Sequence, residues 1–117
     1  MLIFEATHGA EDPERANLPF IRGNVAAAAG QDAAVYLSAD AVWLATPGGG
    51  TDIRYGGHPA VAEMAASLLA NGGQVWVSAE SAASRALGGD DLIAGAEIVA
   101  LHQLSQLLMS GATTIRG

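Results

Sequence analysis

Short apolar runs recur along the chain, separated by longer segments in which apolar residues repeat at helical spacing. Such runs, rich in β-branched and aromatic residues and bounded by turn residues, are typical of buried strands. They predict five strands, over residues 1–6, 33–37, 74–77, 96–99 and 112–115. Short parallel strands need crossover helices. The pattern therefore predicts one α/β domain over residues 1–117, an open three-layer sheet of about five parallel strands with helices on both faces.

Capping and turn residues mark where the helices begin and end. Asp12 and Pro13 are typical of a helix start, and this first helix is predicted to run to about Ala29. Its apolar residues at helical spacing are predicted to face the sheet: Leu18, Ile21, Val25 and Ala28. Further helices are predicted over residues 40–45, from His58 to Ala70, over residues 81–87 and from Leu101 to Ser110.

Three consecutive glycines interrupt the chain within residues 47–57. Because glycine leaves the backbone unconstrained, this segment is predicted to be a mobile loop. A lid, a subunit contact and an ordinary flexible loop are the open interpretations. Nucleotide binding has little support, because the loop lacks the lysine of a phosphate-binding loop.

The junction after the third predicted strand is the strongest candidate for function. Ser78, Ser81 and Arg85 follow that strand, and Thr7 and His8 follow the first. Ligands usually bind at the carboxyl ends of parallel strands, so a small ligand is predicted to contact these five residues. Ser78, Ser81 and His8 are the catalytic candidates. The alternative is that the serines cap a helix, that Arg85 is a solvated charge and that His8 bonds backbone in a loop.

Several segments together resemble one known family. They are Thr7-His8-Gly9, Asp40-Ala41-Val42-Trp43, the junction ending at Arg85, Asp91-Leu92-Ile93-Ala94-Gly95-Ala96-Glu97 and Gly111-Ala112-Thr113-Thr114. On these residues the chain resembles the DsrE/DsrF-like family of small sulfur-relay proteins, essentially end to end. The resemblance implies a Rossmann-like or flavodoxin-like sheet, a cytoplasmic homotrimer or hexamer, and a sulfur-relay protein as partner.

The resemblance also identifies what is missing. In such family members the junction resembles Cys-x-x-Cys-x-x-x-Arg, and the matching positions here are Ser78, Ser81 and Arg85. The chain contains no cysteine. A thiolate is the nucleophile in sulfur transfer, and a serine hydroxyl cannot hold a sulfane sulfur as a persulfide. The family's chemistry is therefore not expected to carry over with its fold.

Three hypotheses follow for the function. The leading one is a DsrE-like protein of sulfur metabolism that acts by binding a small ligand or a partner without carrying sulfur, and that is not expected to be an enzyme. The second is an enzyme that uses His8, Ser78 and Ser81 on a small polar substrate. The third is that the serines replace the cysteines of a genuine sulfur carrier.

Charge and ligand spacing restrict the partners further. The net charge is -7, with five arginines and no lysine, which argues against nucleic-acid binding because phosphate contacts depend on cations. No apolar stretch is long enough to span a bilayer, and no signal peptide is recognised, so a cytoplasmic protein is predicted. His8, His58 and His102 lie in different elements, and neither a metal site nor a cofactor is expected.

Overall fold

Five parallel strands form one sheet in the computed structural model, which describes residues 1–116. In chain order they are β1 (Leu2–Ala6), β2 (Ala33–Leu37), β3 (Gln74–Ser78), β4 (Ala96–Val99) and β5 (Thr113–Arg116). The order across the sheet is β4-β3-β2-β1-β5, and every neighbouring pair is parallel. The predicted open α/β sheet is confirmed, and each strand lies within about one residue of its predicted bounds.

Helices connect the strands. They are α1 (Pro13–Ala28), α2 (Val61–Ala70), α3 (Ala79–Ser84) and α4 (Leu101–Met109), with short 3-10 helices at Ala39–Ala45 and Gly89–Asp91. The Asp12 side chain caps α1 by accepting a hydrogen bond from the Arg15 amide. The helix predicted over residues 40–45 is part of the 3-10 helix at Ala39–Ala45. The helix predicted from His58 begins three residues later, as α2. No helix within residues 1–116 is long and apolar enough to cross a membrane.

The buried side of α1 differs from the predicted one. It consists mainly of small residues and one aromatic ring: Ala16, Phe20, Gly23 and Ala26. Among the residues predicted to face the sheet, Leu18 and Ile21 are only half-buried, Ala28 is exposed and Val25 is 67% exposed. The prediction was wrong because α1 lies so close to the sheet that small residues are favoured on its buried side. A Cβ at Gly23 would already lie 3.0 Å from Cγ2 of Val35 in β2.

The two faces of the sheet are covered unequally. Phe4, Val35 and Val75 belong to the core cluster on the side of α1, α2 and α3. Ile3, Tyr36 and Trp76 point to the other side, where they pack with Leu104 of α4. That helix is about 10–12 Å wide with its side chains, whereas five strands spaced by about 4.8 Å span about 19 Å. One short helix cannot cover this face completely.

The loop over residues 47–57 is tied to the start of α2. The carbonyl oxygens of Gly50 and Ile53 accept hydrogen bonds from the amides of Ala62 and Val61, at 3.1 and 3.0 Å. A Cβ at Gly49 would collide with the carbonyl oxygen of Trp43. At least one glycine of the run is therefore required by close backbone approach, while mobility of the loop stays a prediction.

Candidate functional site

Three segments meet at the carboxyl edge of the sheet, namely the loops after β1 and β2 and the start of α3. The loop after β2 lies between the other two: the Ser38 amide donates to the carbonyl oxygen of Ala6 at 3.0 Å, and the Ala39 amide donates to Oγ of Ser81 at 3.0 Å. The loop after β1 also touches it closely, since a Cβ at Gly9 would lie 2.7 Å from the carbonyl oxygen of Asp40. The topology thus brings all five predicted ligand residues to one edge of the sheet.

The β3–α3 junction is held by its own polar groups. Oγ of the buried Ser78 accepts a hydrogen bond from the Ser81 amide at 3.3 Å and so caps α3. Arg85 donates to the Ser81 carbonyl oxygen at 3.1 Å and to Oδ1 of Asp40 at 3.0 Å. We call Ser78, Ser81, Arg85, Ala39 and Asp40 the junction network. Its hydrogen bonds fix the start of α3 against the loop after β2.

A strained residue lies within this network. Ala39 has a φ of 51°, in the left-handed region, where a residue with a Cβ costs about 1–2 kcal/mol. The hydrogen bond from its amide to Ser81 and the neighbouring Asp40–Arg85 ion pair hold the loop in this conformation. The Ser81 hydroxyl therefore stabilises a conformation that the local sequence does not favour.

Neither serine is arranged as an activated nucleophile. Activation requires a general base within hydrogen-bond reach of the hydroxyl. Within residues 1–116 neither Ser78 nor Ser81 has a side-chain hydrogen bond to a histidine or a carboxylate. Nδ1 of His8 lies 3.0 Å from Oγ1 of Thr7 instead. The enzyme hypothesis consequently gains no geometric support from these contacts.

A polar cavity opens at the same edge, on the side of β1 and β5. It has a volume of about 310 Å³ and is lined by Glu5, Thr7, Ser38 and Arg116. Oε2 of Glu5 lies 3.7 Å from Nε of Arg116. We call it the edge cavity. Of the five residues predicted to bind a ligand, Thr7 lines it, and the other four lie outside its described lining.

A second cavity lies away from the predicted site. It has a volume of about 480 Å³, is mainly apolar, and lies between α1 and α2, where Ile21, Val25 and Met64 contribute to its wall. None of the five predicted ligand residues lines it. No cluster of three or more potential metal ligands is found among residues 1–116.

The pKa of Tyr55 is raised by Glu14, which lies in the first turn of α1. The Glu14 carboxylate, as a hydrogen-bond acceptor and then as a nearby negative charge, raises the pKa of Tyr55, with a smaller contribution from burial. The Tyr55 ring stacks on His58, with ring centroids 6.3 Å apart. Both interactions lie outside the junction network.

The sequence prediction missed four residues of this edge: Glu5, Ser38, Asp40 and Arg116. Glu5 carried a signal, since it is the one charged residue within an otherwise apolar strand. Asp40 belongs to a segment that carries the family resemblance, but its pairing with Arg85, like that of Arg116 with Glu5, had no local signal because the partners are distant in sequence.

The comparisons with known proteins agree on one fold. The model of the DsrE/DsrF-like family matches residues 1–116. The ychN protein from E. coli is similar in structure, with a TM-score of 0.78 and 19% identity over 97% of each chain. MTH1491 from Methanobacterium thermoautotrophicum, described as a protein of unknown function, has a TM-score of 0.74 and 18% identity over 99% of this chain and 97% of that chain. No curated protein matches the sequence.

Proposed function

This chain belongs to the DsrE/DsrF-like family, and we propose that it serves sulfur relay by noncovalent binding and does not carry sulfur itself. One observation carries the proposal. The chain contains no cysteine, and the hydroxyl oxygens of Ser78 and Ser81, the positions that the resemblance matches to cysteines, accept hydrogen bonds that order the junction. Without a thiolate no persulfide can form on the chain, so its contribution to a relay is through a small ligand or a partner protein.

Exposed apolar side chains support assembly as part of the same proposal. Leu101, Leu108 and Met109 lie along one side of α4 and are 60%, 41% and 88% exposed. Exposed apolar patches often mark interaction surfaces. The proposed assembly is a homotrimer or a hexamer in the cytoplasm, formed by copies of this chain.

A sulfur-loading experiment tests the noncarrier role. The purified protein is incubated with a low-molecular-weight persulfide, and its intact mass is then measured. Wild type is expected to keep its mass, whereas Ser81→Cys and Ser78→Cys are the matched controls that present a thiol to the donor. At least one control is expected to gain one sulfur atom, which a reducing agent should remove. Stoichiometric loading of wild type would refute the proposal.

Native mass spectrometry tests the binding role. One spectrum of the purified protein reports both the number of subunits and the mass of any retained small molecule. A homo-oligomer is expected, and a retained molecule would identify the ligand. A monomer across the whole concentration range would contradict the proposed assembly.

A further inference from the structure

The edge cavity contains polar groups that the protein does not use for its own structure. Glu5 makes only the 3.7 Å contact with Arg116, longer than a charge-assisted hydrogen bond of about 2.8 Å. Ser38 precedes the 3-10 helix, yet its hydroxyl makes no capping hydrogen bond. Among the side-chain hydrogen bonds of residues 1–116, neither Glu5 nor Ser38 participates through its side chain. Their acceptor and donor capacity is directed to the cavity and to solvent.

The backbone of Glu5 is fixed by strand pairing on both sides. Glu5 lies within β1, where its register partners are Tyr36 on β2 and Arg116 on β5. Alternation along the strand places it on the same face as Ile3, the face that α4 covers incompletely. Its side chain is 28% exposed, whereas that of Arg116 is 95% exposed. The cavity thus combines a recessed negative charge with an exposed positive charge at the rim.

We propose that the edge cavity binds a small zwitterion that carries a primary ammonium and a carboxylate, an amino-acid-like molecule. The ammonium has three donors, and the residues that line the cavity supply the Glu5 carboxylate and the hydroxyl oxygens of Ser38 and Thr7. The Thr7 oxygen also lies 3.0 Å from Nδ1 of His8 and retains a second lone pair as acceptor. The carboxylate of the ligand pairs with the Arg116 guanidinium. This ion pair replaces the loose contact between Arg116 and Glu5. The negative charge of Glu5 thus faces the ammonium of the ligand, and the positive charge of Arg116 faces its carboxylate.

Size and net charge favour this class of ligand. The cavity volume of about 310 Å³ is at the lower end for ligand sites, which favours a small ligand. The net charge of -7 gives the whole molecule a negative potential that repels simple anions. This inference deepens the proposed function by assigning a ligand class and a location to its small-ligand binding.

An amide NMR titration of the isotope-labelled protein tests the proposal. The probes are glycine, which has both charged groups, methylammonium, which has only the cation, and acetate, which has only the anion. All are added at neutral pH and constant ionic strength. Saturable shifts are expected with glycine at Glu5, Thr7, Ser38 and Arg116, with at least about tenfold weaker binding of the two single-charge probes. Equal binding of methylammonium and glycine would overturn the zwitterion assignment, and so would absence of saturable shifts with glycine.

Variants separate the cavity from general charge. Glu5→Gln is expected to weaken glycine binding at least about tenfold, and Glu97→Gln is the matched control, since it removes the same charge from the exposed edge strand β4. Ser38→Ala provides a second test should Glu5→Gln fold poorly, with about threefold to tenfold weaker binding expected. Wild-type affinity in both Glu5→Gln and Ser38→Ala would overturn the proposal.

The two proposals can fail separately. Sulfur loading of wild type would refute the noncarrier role whatever glycine does. Failure of glycine to bind would refute the zwitterion site and leave the result of the loading experiment unchanged.

Discussion

The junction network and the edge cavity lie side by side, yet their polar groups are used differently. In the junction network, the hydroxyl oxygens of Ser78 and Ser81 each accept a hydrogen bond from a backbone amide. Arg85 donates hydrogen bonds to the Ser81 carbonyl oxygen and to the Asp40 carboxylate. In the edge cavity the Ser38 hydroxyl has no hydrogen-bond partner among residues 1–116, and the Glu5–Arg116 contact is loose. Polar residues at the carboxyl edge of a sheet are therefore not equivalent evidence for a ligand site. Those that the fold already employs are structural, and those that it leaves free are available for binding.

The close contact between the loops after β1 and β2 is expected to give the largest effect on stability. A methyl group at Gly9 would lie 2.7 Å from the Asp40 carbonyl oxygen, so Gly9→Ala must separate the loops after β1 and β2. The free energy of unfolding should fall by about 2 kcal/mol, measured by chemical denaturation. Gly57→Ala is the matched control, because a Cβ there meets open space, and its effect should stay within about 0.5 kcal/mol. An equal response of the two variants would contradict the close loop packing.

Two serine variants compare the regions directly. Ser81→Ala removes the acceptor of the Ala39 amide and should lower the free energy of unfolding by about 1–2 kcal/mol. Ser38→Ala removes a hydroxyl without a described partner and should change it by less than about 0.5 kcal/mol. Denaturation of both proteins under one set of conditions provides the test. The distinction between the regions would be lost if Ser38→Ala were the more destabilising change.

The two ion pairs should differ by a smaller amount. Arg85 and Asp40 are 3.0 Å apart, with Arg85 only 24% exposed, so a double-mutant cycle with Arg85→Gln and Asp40→Asn should give about 0.5–1 kcal/mol of coupling. The same cycle with Arg116→Gln and Glu5→Gln should give nearly none, because Arg116 is 95% exposed. High salt should reduce the first coupling only partly, since partly buried pairs are screened less. Larger coupling at Glu5–Arg116 would show that this contact is structural.

Tyr55 provides the smallest effect and a reference outside both regions. Since Glu14 raises the pKa of Tyr55, Glu14→Gln should lower that pKa toward its ordinary value of about 10. A raised pKa in the folded state means that the neutral phenol is favoured there, so this contribution to stability is present below the unfolded-state pKa and is lost as the pH rises through the folded-state pKa. Phenolate absorbance of wild type and Glu14→Gln measures the shift, with Tyr55→Phe identifying the signal. An unchanged titration would exclude the Glu14 interaction.

Local patterns determined most of the fold. The strands from β1 to β5 could be predicted because each is a short apolar run between turn residues. The buried face of α1 could not, because the prediction favoured bulky residues such as Val25, while the sheet accepts Gly23 and Ala26 at close range. Asp40–Ala45 was predicted as a helix of unspecified type and is part of a 3-10 helix.

The candidate site was less accessible to sequence reasoning. Ser78 and Ser81 could be placed at the end of a strand, since that depends on neighbouring residues alone. The hydrogen bond from the Ala39 amide to Ser81 depends on strand order, as does the pairing of Glu5 with Arg116 across most of the chain. Ser38 gave no local signal at all, because its importance lies in having no partner among the described residues.

The position of β5 has a consequence for how the molecule folds. β1 pairs with β2 early in the chain, but its other edge pairs with β5, more than a hundred residues later. Contacts of such long sequence separation slow folding, and an unpaired strand edge is a template for aggregation. During synthesis, the edge of β1 that faces β5 therefore stays unpaired until β5 has been made. The edge cavity, which is lined by residues of both β1 and β5, can therefore form only once β5 has paired with β1.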